Sequence, residues 1–438
     1  MTTDSIPKIV VVGGGAGGLE LVTKLGRKLG KKGKAEVTLV DSTHTHIWKP
    51  LLHEVAAGTI DSHEDEIEYL AQAMCSGFHF RLGKMDQLDR DNKQISVAPT
   101  YNARGVEIIP RRTFDYDYLV IAVGSVSNDF GIQGVEKNCC FLDNTAQAEE
   151  FQTKLLEAYF RAHTQAKPLD EGQLDIAIVG AGATGVELSA QLHEVSHLLT
   201  AYGLDEVKPA DVNITIIEAA NRVLPGLPEN LSAATQKELE KLGINVLNNE
   251  RVTQVTPKNI KTESGKVIPA SIKVWAAGIK APEFLKDLGG LETNWINQLV
   301  VKQTLQTTLD DKIYAIGDCC ACKWIGFNTN VPPRAQAAHQ MASLTYKSIR
   351  NQMADKALPE YAYHDYGSLV SLGRYSTVGN MMGNLSKGSL MIEGFMARIM
   401  YLSLHKMHQV ALFGFFRVGM LTIANLFRRS VHPKIKLH

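Results

Sequence analysis

Short, almost wholly apolar runs punctuate the chain, and most stop on glycine or an acid. Ile9–Val12 leads into Gly13, Val37–Val40 into Asp41, and Leu119–Val123 into Gly124. The pattern returns further along: Ile176–Val179 before Gly180, Ile214–Ile217 before Glu218, Val274–Ala277 before Gly278, and Ile313–Ile316 before Gly317-Asp318. Runs this short, bounded by turn residues, read as buried strands. Between them the apolar spacing changes to that of helices, as in Leu19, Val22, Leu25 and Leu29. Residues 78–122 add shorter strands and turns, and Ile47–Glu54 reads as a loop entering a helix. Strands alternating with helices predict an α/β fold with parallel sheets.

The first strand runs straight into Gly13-Gly14-Gly15-Ala16-Gly17-Gly18. In a strand–G-x-G-x-x-G–helix unit the first glycine permits a tight turn and the second lets backbone approach a pyrophosphate. The third lets helix pack on strand, and the helix N-terminus faces the anion. Asp41, ending the second strand, can accept hydrogen bonds from a ribose diol. The whole unit recurs as Gly180-Ala-Gly182-Ala183-Thr184-Gly185, with Glu218 as its terminal acid. The stretch from Gly185 to Glu218 exceeds the usual ~20 residues, so an insertion is expected around Tyr202–Ala210. Matching strand ends at Ala122–Gly124 and Ala276–Gly278 support two copies of one architecture. The expectation is two Rossmann-like domains binding two dinucleotides. Residues 1–142 and 306–360 would form one domain and 143–305 the other, with 361–438 as a separate C-terminal region.

The stretch Val331-Pro-Pro-Arg-Ala-Gln336-Ala-Ala-His-Gln340 starts a helix at proline, leaving a positive helix end facing forward. Such an end would stabilise the anionic pyrimidine portion of a reduced flavin. Gln336 and Gln340 share one helix face, with only small alanines flanking; two solvated amides on a surface helix would give the same spacing.

Charge changes the picture only locally. Across 438 residues, 46 Lys and Arg balance 46 Asp and Glu, so no global field points to nucleic acid. After Glu393, however, there is no acid, while Arg398, Lys406, Arg417, Arg428, Arg429, Lys434 and Lys436 follow amid Phe, Leu, Met and Ile. Lys406, Arg417 and Arg428 are spaced by eleven, a basic stripe if one helix carries them all, although Gly414 and Gly419 make two helices as plausible. Such a segment suits an interfacial anchor on an anionic phospholipid surface, and its removal is expected to leave the nucleotide-binding body intact. Packing against the body or a second subunit is the alternative. No run is long enough for a transmembrane helix, and the first residues lack a signal-peptide pattern. The six cysteines do not suggest a disulfide framework, and nothing completes a metal site around Cys319-Cys320-Ala-Cys322. His44/His46 and His405/His408 lie close together in sequence, and neither pair has a carboxylate partner that singles it out.

Together, the two glycine units, Ile316-Gly317-Asp318, Ala335-Gln336-Ala-Ala-His-Gln340 and Trp48-Lys49-Pro-Leu-Leu-His-Glu-Val resemble the bacterial type II NADH:quinone oxidoreductases over essentially the whole chain. The resemblance implies the two-dinucleotide-binding-domain flavoprotein fold, with FAD in the first unit and NADH in the second. It implies a membrane quinone as acceptor and a peripheral position on the cytoplasmic face of the plasma membrane, without proton pumping; it leaves a homodimer open. Gly13, Gly14, Gly15, Ala16, Gly17, Gly18, Asp41, Lys49, Gly124, Gly317 and Asp318 would then hold FAD. Gly180, Gly182, Ala183, Thr184, Gly185, Glu218, Ala277 and Gly278 would hold NADH. The Glu218 carboxylate would repel a 2′-phosphate, favouring NADH over NADPH, with Arg222 expected on a nearby helix. The family places an acid near nicotinamide and quinone where Glu187 stands, and its quinone signature falls on Gln336 and Gln340. Glu20 occupies the equivalent place in the first unit, so an acid there need not be catalytic. The Cys-x₄-Cys pair of related disulfide reductases is missing after Asp41. A reductase of a soluble acceptor such as ferredoxin, or a membrane-tethered nucleotide sensor without turnover, also fits the binding motifs.

Overall fold

In the computed structural model, which describes residues 6–372, 376–381, 390–393, 395–428 and 435, the apolar runs form two parallel sheets. β1 (Lys8–Val12), β2 (Glu36–Asp41), β3 (His79–Leu82) and β4 (Tyr118–Ile121) lie side by side, with β1 between β2 and β4. β5 (Ile176–Val179), β6 (Ile214–Ile217), β7 (Asn245–Leu247) and β8 (Ile272–Trp275) make the second sheet, in the order β7-β6-β5-β8. The chain then returns: β9 (Ile313–Ala315) pairs with β4 and completes the first sheet. The strands are apolar at successive positions because both faces are covered. In the second sheet Ile176 and Ile178 pack among helix residues such as Val186 and Leu192, while Ala177 and Val179 pack with Val252, Val255, Ile260 and Ile268 of a small antiparallel sheet. Ile9 to Val12 are at most 3% exposed, and each such side chain contributes about 1.5–3 kcal/mol by leaving water.

α1 (Ala16–Lys28) follows the first glycine loop, and α2 (Leu52–Ala56) follows the Trp48-Lys49-Pro50 turn. α3 (Ala183–Ala201) follows the second loop. The long interval before Glu218 consists of this 19-residue helix and a turn through Pro209–Asp211. α4 (Ala335–Gln352) lies against α1, where a Cβ on Gly17 would come 3.0 Å from the Ala338 carbonyl oxygen. Small residues at this crossing bring the start of α4 beside the first glycine loop.

The C-terminal part is an antiparallel sheet, β10 (Ser368–Leu372), β11 (Ser376–Met381) and β12 (Leu390–Glu393), followed by α5 (Phe395–Phe413) and α6 (Phe415–Arg428). Gly414 at φ +84° separates the helices, so Lys406 and Arg417 belong to different axes and make no single stripe. Arg429, Lys434 and Lys436 lie outside the described residues, as do the side chains of Arg398 and Arg428. The expectation of a separable tail is corrected. His408 and Leu412 of α5 are buried, and the Leu412 carbonyl accepts from the Arg27 guanidinium and from the Gln72 amide at 3.4 Å. Removing α5 would uncover α1. Among the described residues, no helix is long and apolar enough to cross a membrane.

Candidate functional site

The two glycine loops repeat each other closely. Gly13 and Gly180 both have positive φ (+101° and +104°), and a Cβ on either would strike the backbone at the end of the neighbouring strand, at Ala122 or Ala276. A Cβ on Gly18 or Gly185 would meet the carbonyl oxygen of Gly13 or Gly180 at 1.9 or 2.0 Å. Gly15 and Gly182 differ: each caps its helix in extended conformation, and a Cβ there would meet nothing within 4 Å. So the first and third glycines are required by the protein's own packing. The second leaves open space ahead of a helix N-terminus, the arrangement a pyrophosphate fits. Gly14 is closed off instead: the Tyr69 ring fills the space a Cβ would need, and its hydroxyl donates to the Gly14 carbonyl at 2.9 Å.

Each terminal acid is tied to its own loop. The Asp41 carboxylate accepts from the Gly14 amide at 2.6 Å and from the Thr43 amide and hydroxyl at 2.8 Å. Glu218 accepts from the Ala181 amide at 2.7 Å and the Ala220 amide at 2.8 Å. Both are half-buried at the carboxyl end of a parallel sheet, where nucleotides bind in such folds. Arg222 is in the turn after Glu218 and not on a helix; its guanidinium donates to the Pro225 carbonyl at 3.0 Å, because the chain turns back there.

A cavity of about 2670 Å³ joins these parts. Gly13, Gly15–Gly18, Asp41, Lys49, Gly124, Gly317 and Asp318 line one region. Gly182, Ala183, Thr184 and Glu187 line another, and Gln336 and Gln340 a third. Ser403–His408 of α5 and Thr422 and Asn425 of α6 complete the wall. Glu218, Ala277 and Gly278 are not in this lining; the Phe130 ring stands where a Cβ of Gly278 would lie, whereas Gly124 faces open space. Lys49 donates to the Ser125 carbonyl at 2.8 Å, and the Ser125 hydroxyl donates to Asp318 at 2.8 Å. Ser125 is thus the link between two predicted residues, and its only sequence signal is its position after Gly124.

Glu187 is 6% exposed, and its carboxylate accepts from the Ser371 amide at 3.0 Å. It also lies 3.6 Å from His53 Nδ1, too far for a good hydrogen bond. Burial pushes the His53 imidazole down to about 4, so this contact is neutral imidazole beside carboxylate at pH 7. The two glutamines are not solvated amides. Gln336 donates to Asp365 and the Gly367 carbonyl and accepts from the Tyr366 amide. Gln340 exchanges two hydrogen bonds with the His364 backbone, at 2.8 and 3.0 Å. They fasten segment 364–367 across the cavity, with Arg334 adding an ion pair to Asp365 at 2.9 Å.

The expectation that the histidine pairs lack a carboxylate partner is overturned. His408 Nδ1 is 2.7 Å from Glu20 Oε1, and His46 Nε2 is 3.0 Å from His408 Nε2. His339 Nδ1 bonds the other oxygen, Glu20 Oε2. These residues are 20, 46, 339 and 408 in sequence, so only the fold reveals the cluster. Cys319, Cys320 and Cys322 are buried free thiols, and burial pushes Cys319 and Cys322 up to about 12, so neither is a ready thiolate.

The Pyridine nucleotide-disulphide oxidoreductase family profile matches residues 7–342. The chain is 44% identical over 443 residues to the type II NADH:quinone oxidoreductase of Haemophilus influenzae, covering 98% of this chain and 99% of that one. It is 30% identical over 381 residues to the protein of that name from Staphylococcus aureus, covering 86% and 90%. Among solved structures, the NDH2 of Plasmodium falciparum in complex with NADH superposes with a TM-score of 0.80 at 20% identity, over 99% of this chain and 100% of that one. The sulfide:quinone oxidoreductase of Aquifex aeolicus gives 0.73 at 19% identity, over 93% and 92%. These two likenesses bear on the fold.

Proposed function

The chain belongs to the type II NADH:quinone oxidoreductases, and from that premise we propose how its residues share the transfer of electrons from NADH through a flavin to a quinone. Bound FAD supplies the chemistry that takes hydride from nicotinamide and gives up two electrons. Gly13–Gly18 and the N-terminus of α1 hold its pyrophosphate and Asp41 its adenosine ribose, while Asp318 meets the ribityl chain. Ser125 and Lys49 keep Asp318 and the Gly124 turn in register. Gly182, Ala183 and Thr184 take the NADH pyrophosphate, on a loop whose turn and packing Gly180 and Gly185 make possible. Glu218 accepts from the ribose diol and disfavours a 2′-phosphate, while Ala277 and Gly278, outside the cavity, follow the strand end that backs the Gly180 turn. Glu187 has its carboxylate oriented by Ser371 near the meeting point of nicotinamide and quinone. Gln336 and Gln340 shape the quinone pocket by fastening segment 364–367.

One observation carries this reading. A single cavity reaches the first glycine loop, Gly182–Thr184, the α4 glutamines and the two C-terminal helices. On α6, Phe416, Met420, Ile423 and Phe427 recur at helical spacing and are 52–77% exposed. An outward apolar face beside the cavity mouth suits a helix lying in the membrane interface, on the cytoplasmic side where NADH is made, with quinone entering from the lipid. The alternative occupant of that face is a second copy of the chain. In stopped-flow, flavin reduction by NADH followed by reoxidation on mixing with quinone tests the assignment. Flotation with anionic liposomes tests the surface, and a dimer in detergent-free solution that ignores liposomes would refute the membrane assignment.

A further inference from the structure

Reduction of quinone by NADH needs one proton from the medium. Hydride leaves nicotinamide as two electrons and one proton, the quinone carbonyls become two O–H groups, and the second proton must come from elsewhere. The cavity offers a group suited to supply it. His339 lies on α4 between Gln336 and Gln340, its side chain 41% exposed and lining the cavity. Its Nδ1 faces Glu20, leaving Nε2 for a partner outside the pair. Glu20 is only 7% exposed, one turn into α1, and its second oxygen is held by His408 from the C-terminal helix α5. His408 in turn contacts His46 and lies tilted against Trp48, with ring centroids 4.4 Å apart.

We propose that His339 delivers the proton that quinone reduction draws from the medium, and that Glu20, shared with His408, is the positioning residue that sets how tightly that proton is held. This rests on the quinone reading above. The His339 imidazolium gives its Nε2 proton to a quinone oxygen, and the neutral ring regains one from water at its exposed edge. Burial would push the Glu20 carboxyl up, but hydrogen bonds from His339 and His408 outweigh it and hold it below the usual carboxylate range. The bond to Glu20 raises His339 above an ordinary imidazole, against burial and the charge of Lys24. The other groups facing the cluster are cationic or neutral. Lys24 stands on α1 with Lys347 of α4 near it, and His405 of α5 faces His46. His46, in the short strand Thr45–His46 after β2, is kept neutral by burial and by His408. Glu20 is therefore the anion that keeps a proton on His339, and His408 competes for it.

That competition gives two variants opposite effects. In Glu20→Gln the pH at which His339 deprotonates should fall by at least one unit; in His408→Phe, which keeps a ring against Trp48, it should rise. Two readouts apply to the FAD-loaded full chain. One is the titration of 13C-labelled histidine, with the His339 signal assigned by His339→Gln. The other is the pH profile of flavin reoxidation by a water-soluble quinone after reduction with NADH. Reoxidation in Glu20→Gln should be roughly tenfold slower above the new break, with flavin reduction by NADH unchanged. Equal breaks in wild type and Glu20→Gln, or shifts of the same sign in both variants, would overturn the proposal. Should Glu20→Gln lose its flavin, the upward shift in His408→Phe supports the proposal and its absence overturns it. A wild-type flavin that quinone does not reoxidise would sink the quinone reading instead, while the histidine titration would still report on the cluster.

Discussion

Replacing Gly182 by alanine should separate nucleotide binding from folding. Gly182 has φ −70° and ψ −177°, a conformation alanine adopts freely, and no atom stands within 4 Å of the new methyl group. The folded protein should not suffer, and a stiffer unfolded chain should favour it by about 0.4–1 kcal/mol. The methyl group enters the space where the NADH pyrophosphate approaches the N-terminus of α3. Crowding of that kind costs roughly 1–3 kcal/mol, about 5- to 150-fold in dissociation constant. Gly180→Ala is the control, two residues away with the opposite logic. At φ +104° its methyl group would lie 2.8 Å from Ala276 backbone atoms. The conformation alone costs about 1–2 kcal/mol, and the overlap adds to it. The assay pairs thermal melting with the NADH dependence of flavin reduction. Gly182→Ala should melt at or above the wild-type temperature, retain flavin and need much more NADH, whereas Gly180→Ala should melt several degrees lower. A Gly182→Ala protein with wild-type NADH dependence would refute the assignment of this loop to the nucleotide.

Gln340→Leu should remove both bonds to the His364 backbone, costing about 1 kcal/mol each. Rapid mixing should find quinone-driven reoxidation slowed and reduction by NADH intact; equal losses in both would assign Gln340 to flavin positioning. Changing Phe416, Met420, Ile423 and Phe427 together to Ser should abolish liposome flotation with melting temperature unchanged, since these side chains are already exposed; loss of fold would mean the face is covered within the protein. His53 makes a prediction about acid. Its folded value of about 4 lies below the ordinary imidazole value, so its stabilisation is present above pH 6.5 and lost as pH falls toward 4. The amount is on the order of 3 kcal/mol. His53→Phe should flatten the acid limb of a stability–pH curve, and an unchanged limb would show that His53 takes up its proton without unfolding.

What the sequence made legible was whatever local chemistry forces into a short pattern. Gly13 and Gly18, like Gly180 and Gly185, are dictated by contacts within one strand–turn–helix unit, so spacing alone reveals them. Asp41 and Glu218 end strands that follow from apolar runs. By contrast, Tyr69 fills the gap beside Gly14 from a helix that no motif announces. Ser125 matters only because β9 returns beside β4 and brings Asp318 next to it. The glutamines were recognisable as a pair, yet their partners at 364–367 follow from how the chain after α4 doubles back.

The position two residues past the third glycine brings the repeat and the fold together. Glu20 and Glu187 occupy it in the two units, on the second turn of helices in matching loops, and both are nearly buried. Helix propensity and the macrodipole treat them alike, so sequence cannot rank them. Their neighbours differ because the two units are covered by different elements. Over Glu187 lie α2 and β10, which contribute neutral His53 and the Ser371 amide. Over Glu20 lie α4 and α5, which contribute His339 and His408. An acid held by a backbone amide has a fixed orientation and one task. An acid shared between two imidazoles divides its hydrogen bonds between them, and one of those imidazoles sits on the helix whose successor carries the outward apolar face. The docking of the C-terminal helices and the proton affinity of His339 are therefore linked through one carboxylate, which a deletion of the tail would break along with any membrane contact.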